Sequence, residues 1–297
     1  LYTKWQDLLV FGRIYLAKEG INAQMSVPEY NWSLFIDSLN IQDLLKGIPF
    51  KIAVEDDGKS FFKLTIKIRK KIVADGLSES DYDVTNVGRH LNAVQWNKAI
   101  DNGATVIDMR NHYESEIGRF KDAICPEVET FKEELPIVKD ILRGKKNQPV
   151  LLYCTGGIRC EKASAYLKHH GFNDVCQLHG GIIDYVRQIK RDKSIDNKFI
   201  GKNFVFDERR GERISDHIIS NCHQCGESCD LHTNCKNVNC NLLFLQCKKC
   251  KDKYEKCCSI DCIEIANMPE EKRKNLRQGV ENKKIYYSHK KVKLNLK

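Results

Sequence analysis

The stretch VLLYCTGGIRC, residues 150–160, joins an apolar strand to the start of a helix. Val150–Tyr153 is a short apolar run that predicts a buried strand, and Arg159–His170 has helical spacing and ends at Gly171. In α/β sheets, ligands bind at the ends of such strands. Cys154 is therefore predicted to lie at the reactive edge of a parallel sheet.

The loop that begins at Cys154 has a composition that favours a negatively charged sulfur. Its glycines let the backbone curl so that successive N–H groups point inward, and the helix N-terminus adds about half a positive charge. Arg159 adds a full charge. We therefore expect an accessible Cys154 thiolate, with a pKa below the usual ~8.5. The predicted anion cradle consists of Thr155, Gly156, Gly157, Ile158 and Arg159.

Two other roles are open for the cysteines of this loop. Cys154 could be an inert buried residue, which is a frequent fate of cysteine. Cys160 competes with it for the essential role. We expect Cys160 in the first helical turn, either facing away from the loop or serving as a resolving thiol.

Strands and helices alternate around this loop, from about residue 90 to residue 192. The predicted helices are 92–102, 130–142, 159–170 and 182–190, and the predicted strands are 105–109, 150–153 and 175–178. This alternation predicts an α/β domain with a parallel sheet and helices on both faces.

Further polar side chains are predicted at the same sheet edge. Asp108 and Arg110 follow the first strand. We expect them to form an ion pair that pins the loop, with orientation of the substrate as the alternative. His112 and His179 are expected to be surface or packing residues.

Residues 1–85 predict a separate small α+β domain. Strands are predicted at 8–16, 21–27, 51–54 and 61–68, with a helix at 29–39. These elements predict a ferredoxin-like or acylphosphatase-like domain with an antiparallel sheet. The basic run Lys67–Lys71 is expected on a solvated edge strand, with an RNA-facing surface as the alternative. Because position 1 is Leu, we expect part of this domain to be missing.

The C-terminal third begins with a predicted connector, residues 193–221, and a Cys-rich segment follows it at residues 222–262. Two Cys-x2-Cys pairs with further thiols predict a structural zinc site, with two ions accommodated and the pairing unknown. Disulfides and an iron–sulfur cluster are the alternatives. The predicted ligands are Cys222, Cys225, Cys229, Cys235, Cys240, Cys247, Cys250, Cys257, Cys258 and Cys262.

Charge and hydropathy bound the class of protein. The net charge is +9, and the basic tail, residues 263–297, carries ten Lys and Arg against four acids. Such an imbalance favours contact with a polyanion such as nucleic acid. Tyr286, Tyr287 and His289 lie among these Lys and Arg residues. We expect them either to stack on unpaired nucleotide bases or to belong to a disordered tail. No run approaches the ~20 apolar residues that span a bilayer, and no secretory signal is evident. We expect a cytoplasmic protein without a membrane partner.

Several motifs carry a resemblance to a known family. Cys154–Arg159 resembles the CxxGxR loop of rhodanese domains, Asp108–Arg110 their D-x-R element, and Leu178–Gly181 their closing L-x-G-G turn. Related dual-specificity phosphatases use a loop one residue longer, which disfavours phosphatase activity. Five longer segments resemble the rhodanese-domain bacterial tRNA uridine hydroxylase family, and they span nearly the whole chain in order. They are Gly12–Ala23, Asp108–Tyr113, Tyr153–Ala163, Gly201–Arg209 and Cys222–Gly226.

This resemblance implies a tRNA-modifying oxidoreductase that hydroxylates the wobble uridine at C5, with molecular oxygen as co-substrate and Cys154 as nucleophile. The thiolate would add to C6 of the uracil, or would carry oxygen or sulfur as a sulfenate or persulfide. One alternative is a sulfurtransferase that works through a Cys154 persulfide. Another is a zinc-dependent RNA-binding module with an inactive rhodanese domain.

Overall fold

The computed structural model describes residues 1–53, 60–78 and 81–278, together with Leu294 and Leu296. The chain divides into two units. The first unit contains Leu1–Asn111, Phe120–Lys198 and Asn203–Glu212, and the second contains His112–Arg119, Phe199–Lys202 and the described part of Arg213–Lys297. The predicted N-terminal domain and nearly all of the predicted α/β domain therefore fall in one unit.

The N-terminal part of the first unit is a three-stranded sheet that packs against two helices. Its elements are α1 (Tyr2–Asp7), β1 (Phe11–Ala17), β2 (Gly20–Ser26), α2 (Trp32–Asn40) and β3 (Leu64–Ile68). The strand order is β2-β1-β3, with β1 antiparallel to β2 and parallel to β3. Trp5, Ile14 and Phe35 are fully buried in the core of this part.

The prediction for this part is wrong in two respects, the direction of β3 and the strand expected from residue 51. The predicted turn is confirmed, because Lys18 and Glu19 join β1 and β2 as a hairpin, and the observed order is β-β-α-β. The connection that contains α2 then returns β3 parallel to β1, as a long crossover allows and a tight turn does not. No strand forms over residues 51–53, where one was predicted, and Val54 lies outside the described residues.

From residue 89 the chain alternates strands and helices. The elements are β4 (Arg89–Leu91), α3 (Ala93–Asp101), β5 (Thr105–Asp108), α4 (His112–Ser115), β6 (Gly118–Phe120), α5 (Phe131–Ile141), β7 (Val150–Tyr153), α6 (Ile158–His169), β8 (Val175–Leu178) and α7 (Gly181–Arg191). Each predicted helix lies within one residue of its observed bounds. The sheet order is β4-β8-β7-β5, and every pair is parallel. The predicted parallel sheet is confirmed.

Both faces of this sheet are buried. On one face, Leu152 of β7 packs in a core with residues of α5 and α6. On the other face, the Tyr153 ring packs edge-on against Phe120 and Trp96, and Phe120 in turn packs against Tyr185 of α7. Alternate residues of β7 therefore bury opposite faces, which explains why the strand is apolar throughout.

The second unit contains the whole Cys-rich segment. A three-stranded sheet of order β10-β9-β6 is formed by β9 (Phe199–Asn203) and β10 (Glu212–Arg213) with β6. These two strands lie in the predicted connector, which is therefore not purely irregular. Beyond them come β11 (His232–Asn234), β12 (Leu243–Leu245), α8 (Lys248–Lys253), α9 (Ile260–Ala266) and α10 (Glu270–Arg277). The tail residues Tyr286, Tyr287 and His289 lie outside the described residues.

Candidate active site and cysteine clusters

Cys154 lies in the loop between β7 and α6, with backbone amides around its sulfur. The Gly157 N–H donates to the Cys154 Sγ at 3.1 Å, and the N–H groups of Arg159 and Cys160 also donate to it. Gly157 can take this position because its φ of +95° lies in the left-handed region, which favours glycine. The predicted ring of inward-pointing amides is present.

The charge state of Cys154 follows from opposing effects. Burial raises the pKa of its thiol, whereas the hydrogen bond from the Cys160 thiol, the Arg159 charge and the backbone amides lower it. The lowering effects prevail, and the pKa of Cys154 falls from 9.0 to about 5. The sulfur is therefore a thiolate at neutral pH, as predicted from the loop.

Cys160 is the hydrogen-bond donor in this pair. Burial and the hydrogen bond to Cys154 hold the pKa of the Cys160 thiol well above its usual value, so Cys160 keeps its proton. The expectation that Cys160 faces away from the loop is wrong, because the side chain turns toward Cys154. The two sulfurs are not joined, and all fourteen cysteines are free thiols.

The prediction of an accessible thiolate is wrong, because Cys154 is 0% exposed. The L-x-G-G turn holds the loop from one side. The Ile182 N–H donates to the Cys154 carbonyl at 3.0 Å, and the Ile183 N–H donates to the Thr155 carbonyl at 3.2 Å. Gly181 fits between these groups only because it lacks a side chain, since a Cβ there would lie 2.6 Å from either carbonyl oxygen.

A lysine from the N-terminal part of the unit crosses the loop on its outer side. Lys51 Nζ donates a hydrogen bond to the Gly156 carbonyl, and it lies 3.6 Å from the position of a Cβ built on Gly157. Of the cradle residues, only Gly156 and Ile158 are partly exposed, whereas Thr155, Gly157 and Arg159 are buried. The part of the loop that faces outward is therefore at Gly156 and Ile158, beside the Lys51 ammonium.

Asp108 and Arg110 form a buried pair beneath the sheet edge. Arg110 donates to both carboxylate oxygens of Asp108, at 2.8 and 2.6 Å, and neither residue is exposed. The Tyr153 hydroxyl donates to Asp108 at 2.6 Å. Burial, followed by the charge of Asp108, holds the pKa of Tyr153 well above its usual value, so the hydroxyl keeps its proton. This geometry supports the structural role of the pair and leaves no surface for a substrate.

The two candidate histidines belong to different units. His179 is largely exposed, with its ring centroid 5.9 Å from that of His90 and its Nδ1 3.5 Å from Asp184. His112 begins the short helix α4 and belongs to the second unit. His179 matches the surface role that was expected for it.

Sequence reasoning missed a buried charge network behind the loop. Lys162 of α6 is 5% exposed, and its Nζ lies 2.8 Å from Glu19 and 3.1 Å from Asp75. Lys71 binds the other oxygen of Asp75 at 2.7 Å. Burial raises the pKa of Asp75, but the Lys71, Leu77 and Lys162 contacts outweigh it and lower that pKa. The network ties the helix that carries the loop to the N-terminal hairpin.

The Cys-rich segment forms two groups of four thiols. Cluster 1 contains Cys222, Cys225, Cys247 and Cys250, and cluster 2 contains Cys235, Cys240, Cys258 and Cys262. Within each cluster, all four sulfurs lie within 4.8 Å of one another. Both clusters could hold a metal ion.

Two of the ten predicted metal ligands belong to neither cluster. Cys229 and Cys257 are buried beside the clusters instead, Cys229 against thiols of cluster 1 and Cys257 against thiols of cluster 2. The prediction of ten ligands is therefore too broad, since two tetrahedral ions need only eight thiols. His223, which follows Cys222 in the sequence, has both ring nitrogens occupied, because its Nδ1 accepts from the Leu245 N–H at 3.1 Å and its Nε2 contacts Glu116 at 2.7 Å.

None of the helices in the described residues has both the length and the apolar character that are needed to span a bilayer.

Comparisons with known proteins cover almost the whole chain. Family models match as follows: the UPF0176 acylphosphatase-like domain at residues 1–72, the rhodanese-like domain at 92–188 and the "Rhodanase C-terminal" domain at 200–263. These matches agree with the predicted fold classes of the first two domains.

Relatives are similar over the same range. A protein of Leptospira interrogans named tRNA uridine(34) hydroxylase is 53% identical over 294 residues, which cover 99% of this chain and 80% of that protein. Proteins of the same name from Photorhabdus laumondii and Enterobacter sp. are 50% and 49% identical, and the aligned regions cover 95% and 100% of this chain and 80% and 85% of those proteins. The chain therefore belongs to the tRNA uridine(34) hydroxylase family.

Proposed function

We propose that this chain hydroxylates uridine 34 of tRNA and that the Cys154 thiolate is its catalytic group. The observation that carries the proposal is the sulfur held with a pKa of about 5 inside a ring of backbone amides. The relatives that share almost the whole chain are named for this reaction. The residue roles are our own assignment.

Hydroxylation replaces the hydrogen on C5 of the uracil with a hydroxyl group. With molecular oxygen as co-substrate, one oxygen atom enters the uracil and the other leaves as water, and a two-electron reductant such as a pair of thiols supplies the two electrons. A thiolate at Cys154 can serve the reaction by adding to C6, which makes C5 nucleophilic; departure of the sulfur and of the C5 proton later restores the ring. In the second version, the oxygen species oxidises the Cys154 thiolate to a sulfenate, which passes its oxygen atom to C5 and returns to the thiolate as the C5 hydrogen becomes the hydroxyl proton. In both versions Cys160, which keeps its proton, can donate a hydrogen bond or a proton at the Cys154 sulfur.

Burial of the sulfur constrains both versions. Because Cys154 is fully buried, the uracil or an oxygen species can meet it only after the covering groups move. The Lys51 contact needs the least rearrangement to break, since it is one hydrogen bond from an exposed side chain to the loop. We infer that the Lys51 ammonium leaves the Gly156 carbonyl when tRNA binds and contacts a tRNA phosphate instead.

Replacement of Cys154 tests the catalytic assignment. In cells that lack the endogenous enzyme, Cys154→Ser is expected to abolish 5-hydroxyuridine in tRNA, measured by mass spectrometry of digested nucleosides. Cys176→Ser is the matched control: Cys176 is buried in β8 of the same sheet, and its pKa is raised, chiefly by burial. The control is expected to keep the modification, and a full level of 5-hydroxyuridine in Cys154→Ser would remove the proposal.

The same cradle also fits a persulfide, which makes sulfur transfer the second candidate function. A sulfurtransferase would turn over thiosulfate and cyanide at Cys154 and leave tRNA unchanged. The nucleoside measurement separates the two functions, because only the hydroxylase adds oxygen to tRNA.

We further propose a cytoplasmic protein with structural zinc in its Cys-rich segment. tRNA is a cytoplasmic polyanion in bacteria, and the net charge of +9 favours its binding. Zinc is supported by the donor set, since soft thiolates grouped in fours are its usual structural ligands. Residues 222–262 contain few large apolar side chains, so bound metal would supply much of the folding free energy of this segment.

A further inference from the structure

We propose that the second unit holds two separate tetrahedral metal ions whose ligand pairs alternate along the chain. Cluster 1 takes the first and third pairs of cysteines, Cys222 with Cys225 and Cys247 with Cys250. Cluster 2 takes the second and fourth pairs, Cys235 with Cys240 and Cys258 with Cys262. The inference rests on the proposal that the cysteines hold zinc, and it adds the number of ions and the ligands of each.

The spacing of the sulfurs fits a single ion at each cluster. Four sulfurs placed ~2.3 Å from one tetrahedral ion lie about 3.8 Å apart along each edge. The measured Sγ···Sγ distances are 3.7 Å for Cys225 with Cys247 and 3.7 Å for Cys240 with Cys258. An iron–sulfur cluster would push the cysteine sulfurs farther apart, because its inorganic core stands between them.

Backbone amides point at the sulfurs as they do around metal-bound thiolates. The Cys247 N–H donates to the Cys222 Sγ at 3.3 Å, and the Cys250 N–H donates to the Cys247 Sγ at 3.5 Å. In cluster 2, the Asn237 side-chain amide donates to the Cys262 Sγ at 3.4 Å. Such donors stabilise negative charge on sulfur, so they favour ligands that stay deprotonated.

Two glutamines connect the clusters. Gln224 lies between two ligands of cluster 1, and its amide donates to the carbonyls of Cys257 and Cys258 at 3.1 and 3.3 Å. Gln246, which precedes Cys247, donates to the Gln224 side chain at 2.8 Å and to the Cys257 carbonyl at 3.3 Å. The peptide chain also crosses from cluster 2 to cluster 1 through β12. Each ion therefore fixes part of the frame that holds the other.

The number of zinc ions per chain tests the proposal without any measurement of activity. The full chain, expressed in zinc-containing medium, is expected to hold two zinc ions by elemental mass spectrometry. Cys225→Ser and Cys240→Ser are each expected to lower the content to about one. The matched controls Cys229→Ala and Cys257→Ala, which alter buried cysteines outside the clusters, are expected to keep two.

Double substitutions decide the pairing. Cys225→Ser with Cys250→Ser removes two ligands of one cluster, so one zinc ion is expected to remain. Cys225→Ser with Cys240→Ser damages both clusters, so none is expected. The reverse result would show that neighbouring pairs along the chain share an ion, which would overturn the alternating assignment while leaving zinc in place.

A further measurement covers the case in which the variants fail to fold. Unsubstituted chain produced with cobalt in place of zinc is expected to bind two Co²⁺ ions and to show the visible and thiolate charge-transfer absorption of tetrahedral tetrathiolate cobalt at both. One cobalt ion per chain would refute two sites. Native chain that contains iron, or no metal, would refute the zinc proposal itself.

Discussion

Substitution of Arg159 gives a quantitative test of how the loop charges Cys154. With a pKa of about 5, about 99% of the Cys154 thiol is ionised at pH 7, against about 1% for a thiol at 9.0. An opposite charge within about 4–6 Å lowers a pKa by about 1–3. Arg159→Met, which keeps the length and removes the charge, is therefore expected to raise the Cys154 pKa to about 6–8.

The effect is largest in mildly acidic solution. The thiolate fraction rises as pH passes upward through the pKa, so at pH 6 it is about 90% in the unsubstituted protein and about 50% to 1% in Arg159→Met. Alkylation of the buried Cys154 by iodoacetamide requires the loop to open, so each variant is compared with its own rate at high pH; on that scale, alkylation at pH 6 should slow by about 2-fold to 90-fold in Arg159→Met. Arg159→Lys, which keeps a positive charge, is expected to retain most of the reactivity.

The chain sequence makes the assay specific. Tryptic cleavage after Lys146 and Arg159 releases peptide 147–159, in which Cys154 is the only cysteine. Mass spectrometry of this peptide follows the alkylation of one thiol among fourteen. In Arg159→Met the cleavage site at residue 159 is lost, so the peptide also contains Cys160. Fragment ions then show which of the two cysteines is alkylated. A midpoint near 9 in the unsubstituted protein, or an unchanged midpoint in Arg159→Met, would refute the electrostatic argument.

Two further substitutions test the groups that hold the loop. Gly181→Ala is expected to lower both tRNA hydroxylation and stability in urea. It should lose more stability than Gly103→Ala. Gly103 has a similar positive φ, but its Cβ position is open, so that control should lose only the ~1–2 kcal/mol that a left-handed backbone costs. Lys162→Met leaves the Asp75 carboxylate buried beside one remaining cation, and we expect a loss of about 3–5 kcal/mol in urea unfolding. The same change at the exposed Lys236 should stay within about 0.5 kcal/mol, and equal losses at the two lysines would contradict the role of burial.

The α/β part of the fold could be predicted because its signals are local. The helix from Ile158 has its start set by Gly157 and its end by Gly171, and β7 is an uninterrupted apolar run. The N-terminal strand order depends instead on which distant segments pair. The local sequence of Leu64–Ile68 does not indicate that this strand lies parallel to β1. The prediction that it is antiparallel was therefore wrong.

The same distinction holds within the site. The charge on Cys154 follows from neighbours in sequence, and it could be predicted from the glycines and Arg159. Its burial depends on distant segments, since Cys154 belongs to a hydrophobic core that includes Phe131 and Leu135 of α5, and the loop sequence does not encode this packing. The same holds for the metal ligands. The cysteine spacing predicts a metal site, but only the fold shows that Cys229 and Cys257 belong to neither cluster.

The position of Lys162 sets a limit on how this protein can be dissected. An excised fragment that starts near residue 90 would contain α6 but neither Glu19 nor Asp75, the two carboxylates that lie against its ammonium. That lysine would be left as a buried charge without its counterions unless the first turns of the helix opened toward water, and the nucleophile's loop begins four residues before the helix. Glu19 of the hairpin and Asp75 thus supply the counterions that the α/β part needs. A fragment that contains the α/β part alone would be a poor substitute for the intact enzyme.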